Sequence, residues 1–112
     1  MESKVQEEAA LCPRFHRAIE LIGRRWTGAV IRVLMDGPRR FNEILTRIPG
    51  ISDRLLTERL RELETAEIVA REVEPASPVR VTYRLTDMGR DLDGPLGSIG
   101  AWAERWLGIP DA

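Results

Sequence analysis

Four hydrogen-bonding side chains in the middle of the chain recur at positions i, i+3, i+4 and i+7 of a predicted helix: Arg54, Thr57, Glu58 and Arg61. This spacing places them on one helix face. Arginine can donate two hydrogen bonds to guanine, threonine offers a hydroxyl and a methyl group, and glutamate can accept from cytosine N4 or orient an arginine. The four therefore suit contact with base edges in a major groove. The alternative is an ordinary solvated face held by ion pairs between the glutamate and its arginine neighbours.

The helix that would carry these side chains is predicted over residues 52–66. Its opposite face is an apolar stripe formed by Leu56, Leu60 and Leu63. Ser52 follows a Pro-Gly pair, so its hydroxyl should cap the first turn. Residues near the start of such a helix enter a groove most deeply, which predicts base contacts there and a phosphate contact for the last arginine of the set. Arg59 points toward the apolar side, so we expect it to be partly buried, paired with a carboxylate and outside the site.

Three further arginines lie beside predicted turns. Arg39 and Arg40 precede a short predicted helix, where side chains and free amides can hold a phosphate. Arg80 lies beside the tip of a predicted hairpin, from which it could reach the minor groove or the flanking backbone. The alternative for each of them is a solvated arginine in a loop.

Cys12 is the single cysteine and directly precedes Pro13, a residue favoured at the first position of a helix. Amide groups at the start of a helix favour a thiolate, which is the form that reacts with oxidants and electrophiles. Cys12 is therefore a candidate redox sensor. The alternative is a small apolar residue packed in an interface, the commoner fate of a free cysteine. One cysteine excludes a disulfide within the chain but permits one between two chains.

No residue pattern typical of an enzyme is found. We see no nucleophile–base pair, glycine-rich phosphate loop or pair of carboxylates at catalytic spacing. His16 is the single histidine, and it has no cysteine pair or acidic cluster at ligand spacing. We therefore expect no enzymatic activity, no metal and no cofactor.

The composition is that of one globular domain of 112 residues, with 43% hydrophobic residues, 31% charged residues and a formal net charge of −1. This charge argues against a protein that coats nucleic acid through bulk charge, so a DNA-binding surface would need its positive charge on one face. The basic residues are sixteen arginines and one lysine, which suits phosphate and guanine contacts, although high genomic GC content gives the same bias. The acidic N-terminus and the absence of a long apolar run predict a cytoplasmic protein that does not span a membrane.

The order of the predicted elements is four helices, a hairpin and a terminal helix. Residues 1–10 should be a flexible N-terminal segment, and residues 11–112 a single domain. The first four helices are predicted over residues 13–23, 26–35, 41–47 and 52–66. Two runs with β-branched bias and alternation predict a hairpin over residues 68–85. A capping Thr-Asp pair then starts a helix predicted over about residues 86–108.

Two features of this terminal helix bear on its shape and its partners. Gly94-Pro95 should kink or break it, because proline lacks the amide proton and clashes with the preceding turn. Trp102 and Trp106 are four residues apart and share one face. Two large indoles on a terminal helix exceed what a monomer of this size easily covers, so we expect a second chain to cover them.

Several short motifs together resemble those of the HxlR-type winged helix-turn-helix regulators. In chain order they are Cys12-Pro13, Leu21-Ile22-Gly23 with Trp26-Thr27, GPRRFNEI at 37–44, PGIS at 49–52, LTERLREL at 56–63, PVRVTY at 78–83 and LTDMG at 85–89. The resemblance covers roughly residues 11–107. Arg24-Arg25 departs from it, since the family more often has a small residue and a lysine there. The second departure is the run Gly94, Gly97 and Gly100 in the last helix.

The resemblance implies a mainly α fold with a small β-hairpin, namely a winged helix-turn-helix with N- and C-terminal dimerisation helices. The helix over 52–66 would enter the major groove and the hairpin over 68–85 would be the wing. The predicted DNA-binding residues are Arg39, Arg40, Ser52, Arg54, Thr57, Glu58, Arg61 and Arg80. The predicted dimer interface comprises Phe15, Ile19, Ile99, Trp102 and Trp106.

The function implied is that of a homodimeric, sequence-specific, prokaryotic transcriptional regulator acting on double-stranded DNA. Two recognition helices should enter successive major grooves about 34 Å apart, so the operator should be an inverted repeat. Repression is the expected mode of action. Some regulators of this kind use a cysteine at the position of Cys12 to sense electrophiles or oxidants, so a redox, electrophile or small-molecule signal is a further hypothesis. The alternative function is a winged-helix protein-interaction module without specific DNA binding.

Overall fold

Helices occupy both ends of the described chain, with one hairpin between them. The computed structural model describes residues 12–109, so the predicted flexible segment 1–10 lies outside the described residues. The helices before the hairpin are α1 (Pro13–Ile22), α2 (Thr27–Leu34), α3 (Phe41–Arg47) and α4 (Asp53–Thr65). The hairpin consists of the antiparallel strands β1 (Val69–Glu74) and β2 (Arg80–Leu85), and α5 (Asp87–Arg90) and α6 (Asp93–Trp106) follow. The mainly helical fold with a small hairpin is confirmed.

The core lies where α2, α3 and α4 meet the base of the hairpin. The predicted leucine stripe of α4 is fully buried, as are Ile31 of α2, Ile44 of α3 and Leu85 of β2. Each such side chain contributes about 1.5–3 kcal/mol when it is removed from water. The core thus fixes the back of α4 and leaves its polar face outward.

The connection between α3 and α4 is a tight turn. Ile48 and Ile51 on either side of it are buried, and Gly50 between them has a φ of 94°, a conformation that glycine adopts without strain. Ser52 caps α4 as predicted, because its hydroxyl accepts a hydrogen bond from the Leu55 amide at 3.1 Å. These contacts set where α4 begins and in which direction it runs.

The hairpin is attached to the helical core at its base. Val69 of β1 pairs with Leu85 of β2, and both are buried. Further along, Arg39 and Tyr83 exchange two backbone hydrogen bonds of 2.9 and 2.8 Å, so the segment before α3 adds to the edge of β2. Thr86 caps α5 by accepting from the Gly89 amide at 3.1 Å.

Two element boundaries differ from the predictions. α2 begins at Thr27 rather than at Trp26, which precedes the helix with a φ of 76°. The single terminal helix predicted over about 86–108 is instead two helices, and the break falls between them, ahead of Gly94-Pro95. Those two residues lie in the first turn of α6, where the amide that proline lacks would have no helical partner. No helix among residues 12–109 is long and apolar enough to cross a membrane.

Candidate nucleic-acid interface

The polar face of α4 projects away from the core. The Arg54 side chain is 89% exposed, Arg61 is also exposed, and Thr57 and Glu58 are half-buried between them. Because the leucine stripe on the opposite side is buried, this face is available to a ligand. α3, the tight turn and α4 together form a helix-turn-helix, whose second helix is the one that can enter a major groove.

Three of the four side chains on this face have partners within α4. The Arg54 Nε donates to the Glu58 carboxylate at 3.4 Å, one turn later. The Thr57 hydroxyl donates to the Asp53 carbonyl oxygen at 2.8 Å. Since that bond occupies its proton, Thr57 presents a methyl group and an acceptor oxygen outward. The face therefore combines a guanidinium, a carboxylate and a small apolar group, which are the groups that distinguish base edges.

Arg59 lies on the other side of α4 and is 7% exposed. Its Nε donates to the Arg25 carbonyl oxygen at 2.9 Å, and its NH1 group lies 3.1 and 3.2 Å from the two carboxylate oxygens of Glu62. The prediction of a partly buried arginine paired with a carboxylate is confirmed. This side chain belongs to the interior of the domain.

Arg39 and Arg40 are adjacent but point to different surroundings. Arg39 is half-buried, and its Nε donates to the Val33 carbonyl oxygen at 3.4 Å. Arg40 is exposed, and its backbone amide donates to the Glu43 carboxylate at 2.8 Å at the start of α3. Its side chain borders a groove between α3 and the hairpin tip that Arg80 also lines. The structure thus brings Arg40 and Arg80 together and turns Arg39 partly inward.

The register of the hairpin reveals a basic residue that the sequence analysis did not select. Arg71 pairs with Tyr83 on the sheet face that Val69 occupies, so it faces the helices. It lines a cleft beside α4 together with Thr57 and Arg61. Strict alternation from the buried Val69 could have identified it. Arg80 belongs to the other face of the hairpin, opposite Glu74.

Cys12 lies immediately before α1 and is partly buried. Its side chain makes no capping hydrogen bond to the first turn, whereas its carbonyl oxygen accepts from the His16 amide at 2.9 Å. The thiol therefore makes no capping hydrogen bond to the first turn of α1. Within residues 12–109 no group of three or more potential metal ligands occurs.

The two end helices carry the largest apolar side chains on the surface. No residue of α1 or α6 is buried. The five predicted interface residues are 45–65% exposed in the single chain: Phe15, Ile19, Ile99, Trp102 and Trp106. Large apolar side chains that are exposed together in this way are typical of an interaction surface.

Comparison with known proteins gives consistent results. The family described as HxlR-like helix-turn-helix matches residues 21–110. The HTH-type transcriptional regulator YodB of Bacillus subtilis is 49% identical over 96 residues, which are 86% of each chain. The solved structure of reduced YodB matches with a TM-score of 0.81 and 48% identity over 89% of this chain and 98% of that one. The structure of quinone-bound YodB matches with a TM-score of 0.76 and 46% identity over 85% of this chain and 100% of that one.

Proposed function

Because this chain belongs to the HxlR-like helix-turn-helix family of transcriptional regulators, we propose that it binds an inverted-repeat operator as a homodimer and reads its bases with α4. The observation that carries this proposal is the outward polar face of α4, held by a buried leucine stripe and started by the Ser52 cap. A helix fixed in this way presents its first turns without further rearrangement.

The contacts divide between bases and backbone. Arg54, Thr57 and Glu58 lie on the first two turns of α4 and would read bases. Arg61 and Arg40 would contact phosphates, with Ser52 at the start of α4 beside them. Two of the three arginines of the hairpin, Arg71 and Arg80, would add further contacts to the DNA backbone.

We assign Arg39 a structural role, between the hairpin and α3. Its backbone pairs with Tyr83, and its guanidinium faces the Val33 carbonyl oxygen. These contacts hold the hairpin beside α3, and a phosphate would have to compete with them for the side chain. Arg40 is therefore the stronger of the two candidates for backbone contact.

Homodimer formation would bury the apolar surfaces of the two end helices. Trp102 and Trp106 are 55% and 65% exposed in the single chain, and both lie on α6. Phe15 and Ile19 give α1 a matching apolar face. A twofold dimer would place two copies of α4 on one side of the assembly, as an inverted repeat requires.

We also propose that Cys12 makes the regulator responsive to electrophiles, with repression released on modification. A relative of nearly half identical sequence has been solved in a quinone-bound form. The Cys12 sulfur would add to a ring carbon of a quinone and form a carbon–sulfur bond. The thiol proton passes to one quinone oxygen, the C–H bond at the attacked carbon breaks and its proton passes to the other oxygen, and the ring becomes a hydroquinone. No further reactant is needed.

The test of DNA binding starts from selection on random duplexes of about 30 base pairs, long enough for two half-sites one helical turn apart. Gel-shift titration of the untreated protein on the selected duplex and on a scrambled one, at several salt concentrations, then measures specificity. We expect an inverted repeat and a preference of at least about a thousandfold. Failure to enrich any sequence, with equal weak binding to both duplexes, would favour the protein-interaction module.

A further inference from the structure

The loop between α1 and α2, formed by residues 23–26, contacts the middle of α4. The Arg25 carbonyl oxygen accepts from the Arg59 Nε at 2.9 Å. The Arg59 NH1 group also donates to the Glu62 carboxylate. The Arg59 guanidinium therefore joins the loop to the next turn of α4. With a side chain that is 8% exposed, Arg59 makes these bonds largely out of water.

Glu62 makes a second connection between the same two elements. One of its carboxylate oxygens lies 3.2 Å from the Arg24 NH1 group in the loop and 3.1 Å from the Arg59 NH1 group. A single carboxylate thus binds two guanidinium groups, one from each side of the contact. The loop and α4 are therefore joined by a backbone carbonyl and by a shared carboxylate.

The loop also contacts the turn at the start of α4. The Trp26 ring packs against Gly50, where an added Cβ would lie 3.4 Å from the indole. The Arg25 guanidinium lies over that ring, 5.0 Å from its centre. Trp26 itself has a φ of 76°, so its backbone conformation is one that the surrounding contacts must maintain. The loop thus supports α4 at two places, at its start and at its middle.

Helix α1 leads directly into this loop. None of its residues is buried, whereas the elements after the loop contribute all of the buried core. The Gly23 amide donates to the Ile19 carbonyl oxygen at 2.7 Å, which ties the loop to the last turn of α1. A change in the position of α1 would therefore reach the loop through this bond, next to the contacts that Leu21 and Ile22 of α1 make with the core.

We propose that the loop over residues 23–26 couples α1 to the recognition helix, with Arg59 and Glu62 as the positioning residues. A change at α1 shifts the carbonyl of Arg25 and the guanidinium of Arg24, and α4 follows because both groups are bonded to it. The inference rests on the proposed function in two respects: α4 reads the DNA, and Cys12, at the start of α1, supplies the signal. An arginine is required at position 59, because a lysine cannot donate to a carbonyl and a carboxylate in two fixed directions.

The first experiment measures the coupling as the ratio of two dissociation constants for the selected duplex, with and without treatment by p-benzoquinone. In Glu62→Gln this ratio should fall about threefold or more relative to the unmodified sequence, with untreated affinity largely kept. The matched control is Asp87→Asn, which removes the partner of Arg90 in an exposed i,i+3 pair on α5 and should leave the ratio unchanged. An unchanged ratio in folded Glu62→Gln would overturn the proposal.

A second experiment is independent of the quinone response. In Arg59→Lys, amide hydrogen exchange of the untreated full chain should rise over residues 24–27 and 50–52 as well as around position 59. An increase confined to α4 would overturn the coupling. If Arg59→Lys does not fold, Glu62→Gln serves in the same measurement, since this side chain is 31% exposed. If quinone treatment does not change the operator affinity of the unmodified sequence while the exchange pattern is as expected, the sensing role of Cys12 is contradicted and the coupling is supported.

Discussion

The guanidinium Nε of Arg54 lies 3.4 Å from the Glu58 carboxylate, one turn further along α4. Their side chains are 89% and 44% exposed, so the pair stabilises the helix by only about 0.3–0.5 kcal/mol. Its main consequence is directional, because the carboxylate holds the arginine over the face that would enter the groove. Both residues can therefore be replaced without loss of the fold, and their effects on DNA binding can be measured directly.

Arg54→Ala should reduce discrimination at particular base pairs. Loss of a bidentate guanine contact costs about 1–3 kcal/mol against the preferred base, whereas binding to scrambled DNA should change little. Fluorescence anisotropy on the selected duplex and on its single-base variants measures the difference. A loss of equal size on matched and scrambled DNA would contradict a base-reading role.

Arg40→Ala should weaken binding to all duplexes to a similar extent. A phosphate contact carries no sequence information, and its removal should lower the slope of log affinity against log salt by about 1. Arg32→Ala is the matched control, since Arg32 is an exposed arginine of α2 outside the proposed site. A base-specific effect of Arg40→Ala, or an equal effect of both variants, would argue against this assignment.

Trp102→Glu should convert the dimer to a monomer. A charge at the centre of an apolar interface is costly to bury without a partner, so the end helices should no longer associate. Sedimentation velocity reports the change in mass. Val79→Glu replaces a side chain that is 61% exposed at the hairpin, compared with 55% for Trp102, and should leave the dimer intact. A dimer that persists in Trp102→Glu would place the interface elsewhere.

Cys12→Ser should abolish the response to p-benzoquinone. The unmodified sequence should gain the mass of one quinone per chain and lose operator affinity, whereas the variant should bind the operator with or without treatment. Intact-mass spectrometry and gel shift of the same samples give both results. A full loss of operator affinity in quinone-treated Cys12→Ser would eliminate Cys12 as the sensor.

Gly89→Ala and Gly28→Ala should change stability in opposite directions. A Cβ at Gly89 would collide with the Ile68 backbone oxygen, which predicts a destabilisation of about 1–3 kcal/mol. Gly28 lies in α2, and apart from its chain neighbours and the backbone of its own helix no atom lies within 4 Å of an added Cβ, so alanine there should stabilise the domain by about 0.5–1 kcal/mol. Urea unfolding measures both. A tolerated Gly89→Ala would mean that α5 can move away from the hairpin base.

The sequence predicted most of the features that depend on local patterns. The bounds of α3, the Ser52 cap and the inward direction of Arg59 follow from helical periodicity and capping chemistry, which involve neighbouring residues only. The carbonyl partner of Arg59 could not be predicted, because Arg25 lies 34 residues earlier in the chain.

The features that the sequence analysis missed depend on tertiary contacts. The terminal helix is interrupted between α5 and α6, where Leu92 and Leu96 pack on the core. The prediction placed the interruption at the glycine–proline pair, which begins two residues after Leu92 and lies inside α6. Arg39 turns inward because its backbone pairs with Tyr83. Arg71 faces α4 because of the strand register. Local periodicity contains no information on the helix interruption or on the orientation of Arg39. The orientation of Arg71 could have been predicted only from strict alternation in β1.

The most direct test of the central claim compares two duplexes that differ only in spacing. Anisotropy titrations of the untreated full chain would use the selected inverted repeat and the same half-sites separated by about five additional base pairs, half a helical turn. A dimer that presents two copies of α4 to successive major grooves should bind the lengthened duplex with an affinity close to that for scrambled DNA. Equal affinity for both spacings would contradict the account, since it would show that the two recognition helices do not bind one face of the duplex together.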